Sequence, residues 1–361
     1  MNKRYSSLDG LRALAAIGIL IMHVQACVEV RPEGNFIYDV FIPSLTNFVY
    51  LFLLISSFSV SCGYYEKMKN MEIAPNEFYM KRYKRILPFF AMLVIIDTLI
   101  PHAPNKVELS RMTGEVATGI DAFINSLYDS FAELTLAFNL LPNPKPSIGV
   151  AWFLGVIFLF YMLFPYFVFL MDNKKRAWKS LIIGYIFSFA AISYFLTDKF
   201  INFELTRHNI VYDAPFLLWG GCIFLYKDRI EVFVKNYKIV SLLMAWGLVF
   251  VYWFVPLTHK GFLFVIVMSL VTVLWLCYAI GTSGIILNNR VVKYLSGISM
   301  EIYLCHMMCF RAVQFLHIDS YIHNIYVVYW TTCVLTIVIA VVFCHVVKYM
   351  VLPKISFVFN K

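Results

Sequence analysis

Ten stretches of mostly apolar residues recur along this 361-residue chain, at 8–28, 43–63, 83–101, 149–171, 178–197, 209–226, 238–256, 261–283, 291–315 and 325–352. A helix needs about 20 such residues to cross the hydrocarbon core of a bilayer. The chain is 61% apolar and only 14% charged, whereas an ordinary soluble domain carries roughly a quarter charged residues. No soluble core can hide that much apolar surface, so lipid must serve as its solvent. Backbone groups in lipid find no water, which obliges each stretch to be helical. The expectation is an all-α polytopic membrane protein of about ten transmembrane helices, forming a single domain over 1–361. The opening MNKRYSSLDGLRALAAIGILIMH resembles a secretory signal, but no small-residue cleavage site follows, and we read it as the first span.

Charge orients the stack. With the N-terminus cytoplasmic, 21 Lys and Arg residues fall in inner loops and tails and seven in outer loops, with Arg12 and Arg311 inside spans. The inner set includes Lys3, Arg4, Lys81, Arg82, Lys84, Arg85 and Lys361; the outer set is Arg31, Lys106, Arg111, Lys145, Lys199, Arg207 and Lys260. That bias places both termini in the cytoplasm. It also accounts for the net charge of +9 without nucleic acid as a partner.

The one long outer loop, about 102–148, is acidic through Glu108, Glu115, Asp121, Asp129 and Glu133. Within it Ile120, Phe123, Ile124, Leu127, Phe131 and Leu134 recur at helical spacing against Asp121, Asn125 and Asp129. This predicts an amphipathic helix in the outer interface or over a cavity, not a further span. The eight cysteines sit in or at the ends of apolar stretches, which points to no disulfide framework.

Ionisable groups inside spans are costly and so are candidates for function. Arg12 and His23 are eleven residues apart, which puts them within roughly 20° of each other on a helix and about 16 Å apart along its axis. One face therefore carries a cation near the inner end and an imidazole beyond the middle. Arg12 alone reads equally well as a residue snorkelling to the headgroups, while His23, so deep in apolar surroundings, favours function. Arg82 and Arg85 stand at i, i+3, where two guanidinium forks can converge on phosphate. On spacing alone they are an ordinary positive-inside cluster.

These residues together resemble a known family. Leu8-Asp9-Gly10-Leu11-Arg12 followed after ten residues by His23 resembles the first-helix signature of the membrane-bound acyltransferase 3 family. VYLFLLISSFSVS resembles its FFxxSGF segment, with Ser56 in the serine place and Ser57 where glycine is usual. Arg82-Tyr83-Lys84-Arg85-Ile86-Leu87-Pro88 is similar to its RxxR-ILP stretch. AWFLGVIFLFYMLFP and SGISMEIYLCHM resemble two later spans and bring in Trp152, Tyr303 and His306. Ile157 stands where many members carry a glutamate; Glu301 or Asp97 are other sources of a carboxylate.

The resemblance implies an enzyme of the inner or plasma membrane that uses acyl-CoA, acetyl-CoA first among such donors, to O-acylate an extracytoplasmic carbohydrate or lipid-linked glycan. Arg82 and Arg85 would hold CoA phosphates, His23 would act as base, and Arg12 would stabilise the thioester side or the CoA. Ser56, Trp152, Tyr303 and His306 would line the site. Direct transfer and an acyl-histidine relay both stay open. Cys305, His306 and Cys309 offer no four-ligand set, so no metal is expected. Arg311 reads as a headgroup anchor. A transporter or flippase, or a partner subunit without chemistry, would use the same kind of helix stack.

Overall fold

The computed structural model describes residues 5–29, 31–99, 119–136, 138, 148–195, 208–255 and 261–354. Regular structure among the described residues is helical throughout. The helices are α1 (Ser6–Cys27), α2 (Phe48–Lys69), α3 (Pro75–Leu99), α4 (Ile120–Leu134), α5 (Trp152–Met171), α6 (Lys174–Phe195), α7 (Ile210–Asn236), α8 (Lys238–Phe254), α9 (Phe262–Gly281), α10 (Arg290–Gly297), α11 (Ser299–Gln314), α12 (Ile318–Tyr321) and α13 (Ile325–Val346). A run of π and 3-10 turns from 37 to 47 leads into α2.

Among the described residues, six helical stretches are long and apolar enough to cross a membrane: Ser6–Cys27, Ile37–Lys69, Gly149–Met171, Lys174–Tyr194, Phe262–Gly281 and Ile325–Lys354. A seventh is added if α7 and α8, bent by 103° at their junction, count as one span. The remaining expected stretches fall on α3, α7, α8 and the α10–α11 pair. Each departs from a plain apolar rod for a visible reason: α3 opens with a basic cluster, and α10 and α11 are broken at Gly297-Ile298.

Helix α1 occupies the centre, packed against α2, α9, α10, α11 and α13. Small residues make that position possible, since Ala13, Ala15, Ala16 and Gly18 are all buried and let neighbouring backbones approach. At Gly10 the approach is closest. A Cβ there would lie 2.3 Å from the Leu287 carbonyl oxygen and 2.7 Å from its Cα. Nearby, the Ser7 hydroxyl donates to the Thr282 carbonyl at 2.5 Å.

Ser57, where the resemblance implies glycine, finds its small partner on another helix. Gly220 of α7 faces it, and a Cβ on Gly220 would stand 2.7 Å from the Ser57 Cβ. The Ser57 hydroxyl donates to the Leu217 carbonyl at 2.6 Å, so the buried oxygen is satisfied.

The amphipathic helix expected within 102–148 forms as α4, and its orientation is informative. Ile120, Phe123, Ile124, Leu127 and Phe131 are exposed, whereas Asn125, Ser130 and Glu133 are buried. Its polar edge faces α3, where Thr98 and Ser130 share a hydrogen bond at 2.7 Å and the Tyr83 hydroxyl donates to the Leu134 carbonyl at 3.1 Å. This arrangement is the inverse of a water-facing helix and suits lipid on the outer side. At 15 residues, about 22 Å, α4 is too short to span. Lys106, Arg111, Lys145, Lys199, Arg207, Lys260, Glu108 and Glu115 of the outer loops, and Lys3, Arg4 and Lys361 of the tails, lie outside the described residues.

Candidate active site

Six helices, α10 among them through Ser296 and Gly297, line a cavity of about 650 Å³ at the basic end of the bundle. Arg12 enters from α1, Ser56 and Ser59 from α2, Lys81, Arg82 and Arg85 from α3, Ile157 and Tyr161 from α5, and Glu301 and Tyr303 from α11. Lys348, just past α13, closes one side. Arg12 donates to Ser59 Oγ at 2.5 Å and pairs with Asp9 at 3.3 Å. Lys348 pairs with Glu301 at 2.5 Å and donates to the Gly297 carbonyl. Five cations therefore face two carboxylates, and the cavity is electropositive.

Arg82 is the singular member of this set. It is 8% exposed, yet it makes no ion pair among the described residues, and its Nε finds no hydrogen-bond partner. Three rings hold the guanidinium instead: Tyr64 at 4.3 Å, Phe78 at 5.4 Å and Tyr161 at 5.5 Å. Rings stabilise a cation without neutralising it. A buried charge left uncompensated in this way is expensive and fits an anionic ligand.

His23 lies at the far end of the same stripe of α1. It meets His306 of α11, with His306 Nε2 and His23 Nδ1 3.2 Å apart and ring centroids at 4.9 Å. The hydrogen bonds order the protons. His306 Nδ1 is 2.6 Å from the Tyr303 carbonyl and must donate to it, which leaves Nε2 as an acceptor when the ring is neutral. His23 Nδ1 then carries the hydrogen facing His306 Nε2 and the Ile19 carbonyl at 3.0 Å. In a neutral pair, the lone pair of His23 resides on Nε2.

A space of about 20 Å³ adjoins His23, bounded also by Ile19, Thr46, Val49, Val150, Trp152 and Tyr303. Tyr303 borders both this space and the cationic cavity, and its hydroxyl donates to the Val150 carbonyl at 3.0 Å. Phe52 and Phe153 pack on the Tyr303 ring at 5.9 and 5.4 Å, an aromatic cluster that separates the two.

The structure brings Arg12, Ser56, Arg82, Arg85 and Tyr303 into one cavity, and His23, Trp152 and Tyr303 into the adjoining space. His306 stands behind His23. Ile157 lines the cavity with no carboxylate, but Glu301 reaches it from α11. Asp97 instead pairs with Arg311 at 2.8 Å near the other end of α3, which gives Arg311 a protein partner where a headgroup anchor was expected. His208 was missed by sequence reasoning: its ring stacks on Trp152 at 4.8 Å, a contact that no spacing along the chain encodes. No group of three or more His, Cys, Asp or Glu fit to hold a metal occurs among the described residues.

A sequence family described as an acyltransferase domain matches residues 5–347. An uncharacterised protein of Haemophilus influenzae is 27% identical over 187 residues, covering 49% of this chain and 74% of that protein. The peptidoglycan O-acetyltransferase OatA of Listeria monocytogenes is 24% identical over 196 residues, covering 51% of this chain and 28% of the relative. No solved structure matches.

Proposed function

The chain belongs to that acyltransferase family, and from this premise we propose an integral-membrane O-acyltransferase that moves an acetyl or other short acyl group from cytoplasmic acyl-CoA to a hydroxyl of an extracytoplasmic or lipid-linked glycan. The observation that carries the reading is Arg82, a buried guanidinium without a counter-ion among the described residues, inside a cationic cavity that adjoins a histidine pair. The 24% identity to a peptidoglycan O-acetyltransferase over half of this chain supports the same class of chemistry. On this reading the chain is one domain of ten spans in the inner or plasma membrane, with both termini and the cationic cavity on the cytoplasmic side.

The donor's phosphates and adenosine occupy the large cavity, with Arg82, Arg85 and Lys81 supplying the counter-charge. The slim pantetheine arm passes Phe52, Phe153 and Tyr303 and presents the thioester to His23. The space there, about 20 Å³, has room for little more than one water-sized group, which favours the shortest acyl chains.

The acceptor hydroxyl attacks the thioester carbonyl carbon as His23 Nε2 takes its proton. The C–S bond then breaks, and the departing CoA sulfur receives that proton, giving an ester and free CoA. His306, held by Tyr303, fixes the His23 tautomer and shares the imidazolium charge while it lasts. Arg12, some way along the same stripe of α1, lies in the large cavity and contacts the CoA portion of the donor. The test is transfer from radiolabelled acetyl-CoA in nanodiscs by wild type and His23→Ala. Loss of label in a folded variant that CoA still stabilises supports the mechanism; wild-type turnover in His23→Ala sinks it.

A further inference from the structure

A second cavity, of about 410 Å³, lies at the opposite end of the bundle from the cationic one. It is bounded by the end of α1, the end of α11, the turn containing α12 and the start of α13. Its volume is that of ordinary small-molecule sites. Nothing in the acyltransferase reading has yet used it.

Its position relative to the histidine pair follows from helix geometry. Phe310 and Val313 line it, four and seven residues after His306, and so lie on the His306 face of α11 about 6 and 10 Å further out. Val28 and Glu29 follow His23 by five and six residues. On α13 the lining runs from Ile325 to Thr332, two turns deeper. Between them the Tyr329 hydroxyl donates to the Ile21 carbonyl at 3.1 Å, which sets that part of α13 level with the His23 end of α1. The floor of the cavity thus reaches the depth of His23.

The chemistry of the wall differs from that of the inner cavity. Glu29, Gln314, His317, Asp319 and His323 supply carboxylate, carboxamide and imidazole groups, while Phe310, Ile318 and Ile322 give an apolar side. His317, with φ of +45°, turns the chain at the end of α11 so that α12 runs along the mouth. Neither Lys nor Arg takes part in this lining, and two acids do. Such a set suits neighbouring hydroxyls, which carboxylates and carboxamides bind in pairs, with an apolar wall for the C–H face of a ring. It is a poor host for an anion.

From this we propose that the outer cavity is the acceptor site, and that it receives a neutral, polyhydroxylated carbohydrate whose reacting hydroxyl points down to His23. The inference rests on the acyltransferase reading and adds the side of approach, the class of acceptor and the residues that select it. Acidic sugars are disfavoured by Glu29 and Asp319.

The experiment uses membrane vesicles containing the full chain and radiolabelled acetyl-CoA, with label followed into envelope glycan, sugar-free lipid and free acetate. Glu29→Gln with Asp319→Asn removes both carboxylates at constant shape; Ile322→Trp fills the apolar side independently. Each should lower label in neutral glycan at least about tenfold, while CoA still raises the melting temperature and acetyl-CoA is still hydrolysed to acetate. Undiminished glycan labelling in both variants overturns the acceptor assignment alone. Wild-type label appearing in sugar-free lipid or in an acidic glycan overturns it as well. A wild type that neither binds CoA nor releases acetate refutes the acyltransferase reading, and this inference falls with it.

Discussion

Replacing Arg82 with leucine should move stability and donor affinity in opposite directions. The guanidinium is 92% buried by residue, touches three aromatic rings and has no ion-pair partner among the described residues. Each ring contributes on the order of 0.5–2 kcal/mol, and three rings around one cation do not add fully. Against this stands the cost of holding a charge out of water, which is several kcal/mol per ion even after relaxation. The apo protein should therefore keep its melting temperature or gain a few degrees. Donor binding loses a charge-assisted contact to phosphate, worth about 1.5–3 kcal/mol, or roughly 10- to 100-fold in Kd. Isothermal titration with CoA and parallel thermal melts, both in one detergent, measure the two quantities. A variant that melts well below wild type but binds CoA with unchanged affinity refutes the reasoning, because Arg82 would then be a structural cation.

The histidine pair makes a separate statement about rate: His306→Ala should lower kcat by about 10- to 100-fold and leave CoA affinity intact, as pre-steady-state acetyl transfer would show. At Gly10, alanine places a Cβ 2.3 Å from the Leu287 carbonyl oxygen, where backbone on both sides cannot yield cheaply. Gly10→Ala should cost about 1–3 kcal/mol of stability, read as a lower melting temperature, with no change if the contact is slack. Val49 borders the 20 Å³ space beside His23, so Val49→Ala should shift donor preference from acetyl- toward propionyl- and butyryl-CoA; an unchanged preference places the length filter elsewhere.

Part of the candidate site's geometry was legible because it is written along single helices. The Arg12–His23 interval fixed a common stripe on α1, and the Arg82–Arg85 interval fixed a common face on α3. The helical outer-loop segment was visible in its period. What escaped was every relation between helices. In lipid a span is apolar all round, so periodicity does not say which face meets which neighbour. The contact of His23 with His306 joins residues 283 apart in sequence. Glu301 reaching the cavity that Ile157 lines, Asp97 pairing with Arg311, and His208 stacking on Trp152 are all of the same kind. The break at Gly297-Ile298 also passed unseen, since both halves are helical and the expected stretch 291–315 simply runs through it.

Helix α4 has a consequence for biogenesis. It is shorter than a span, needs protein along one edge and lipid along the other, and finds both only once α3 is in place. On the proposed sidedness it cannot be laid into the bilayer as it emerges from the ribosome. It must first be carried across within a translocated loop and then fold back from the far side. Maturation of this protein would then include a step that follows the threading of α3, and the outer flank of α3 would stay open to the bilayer until that step is complete.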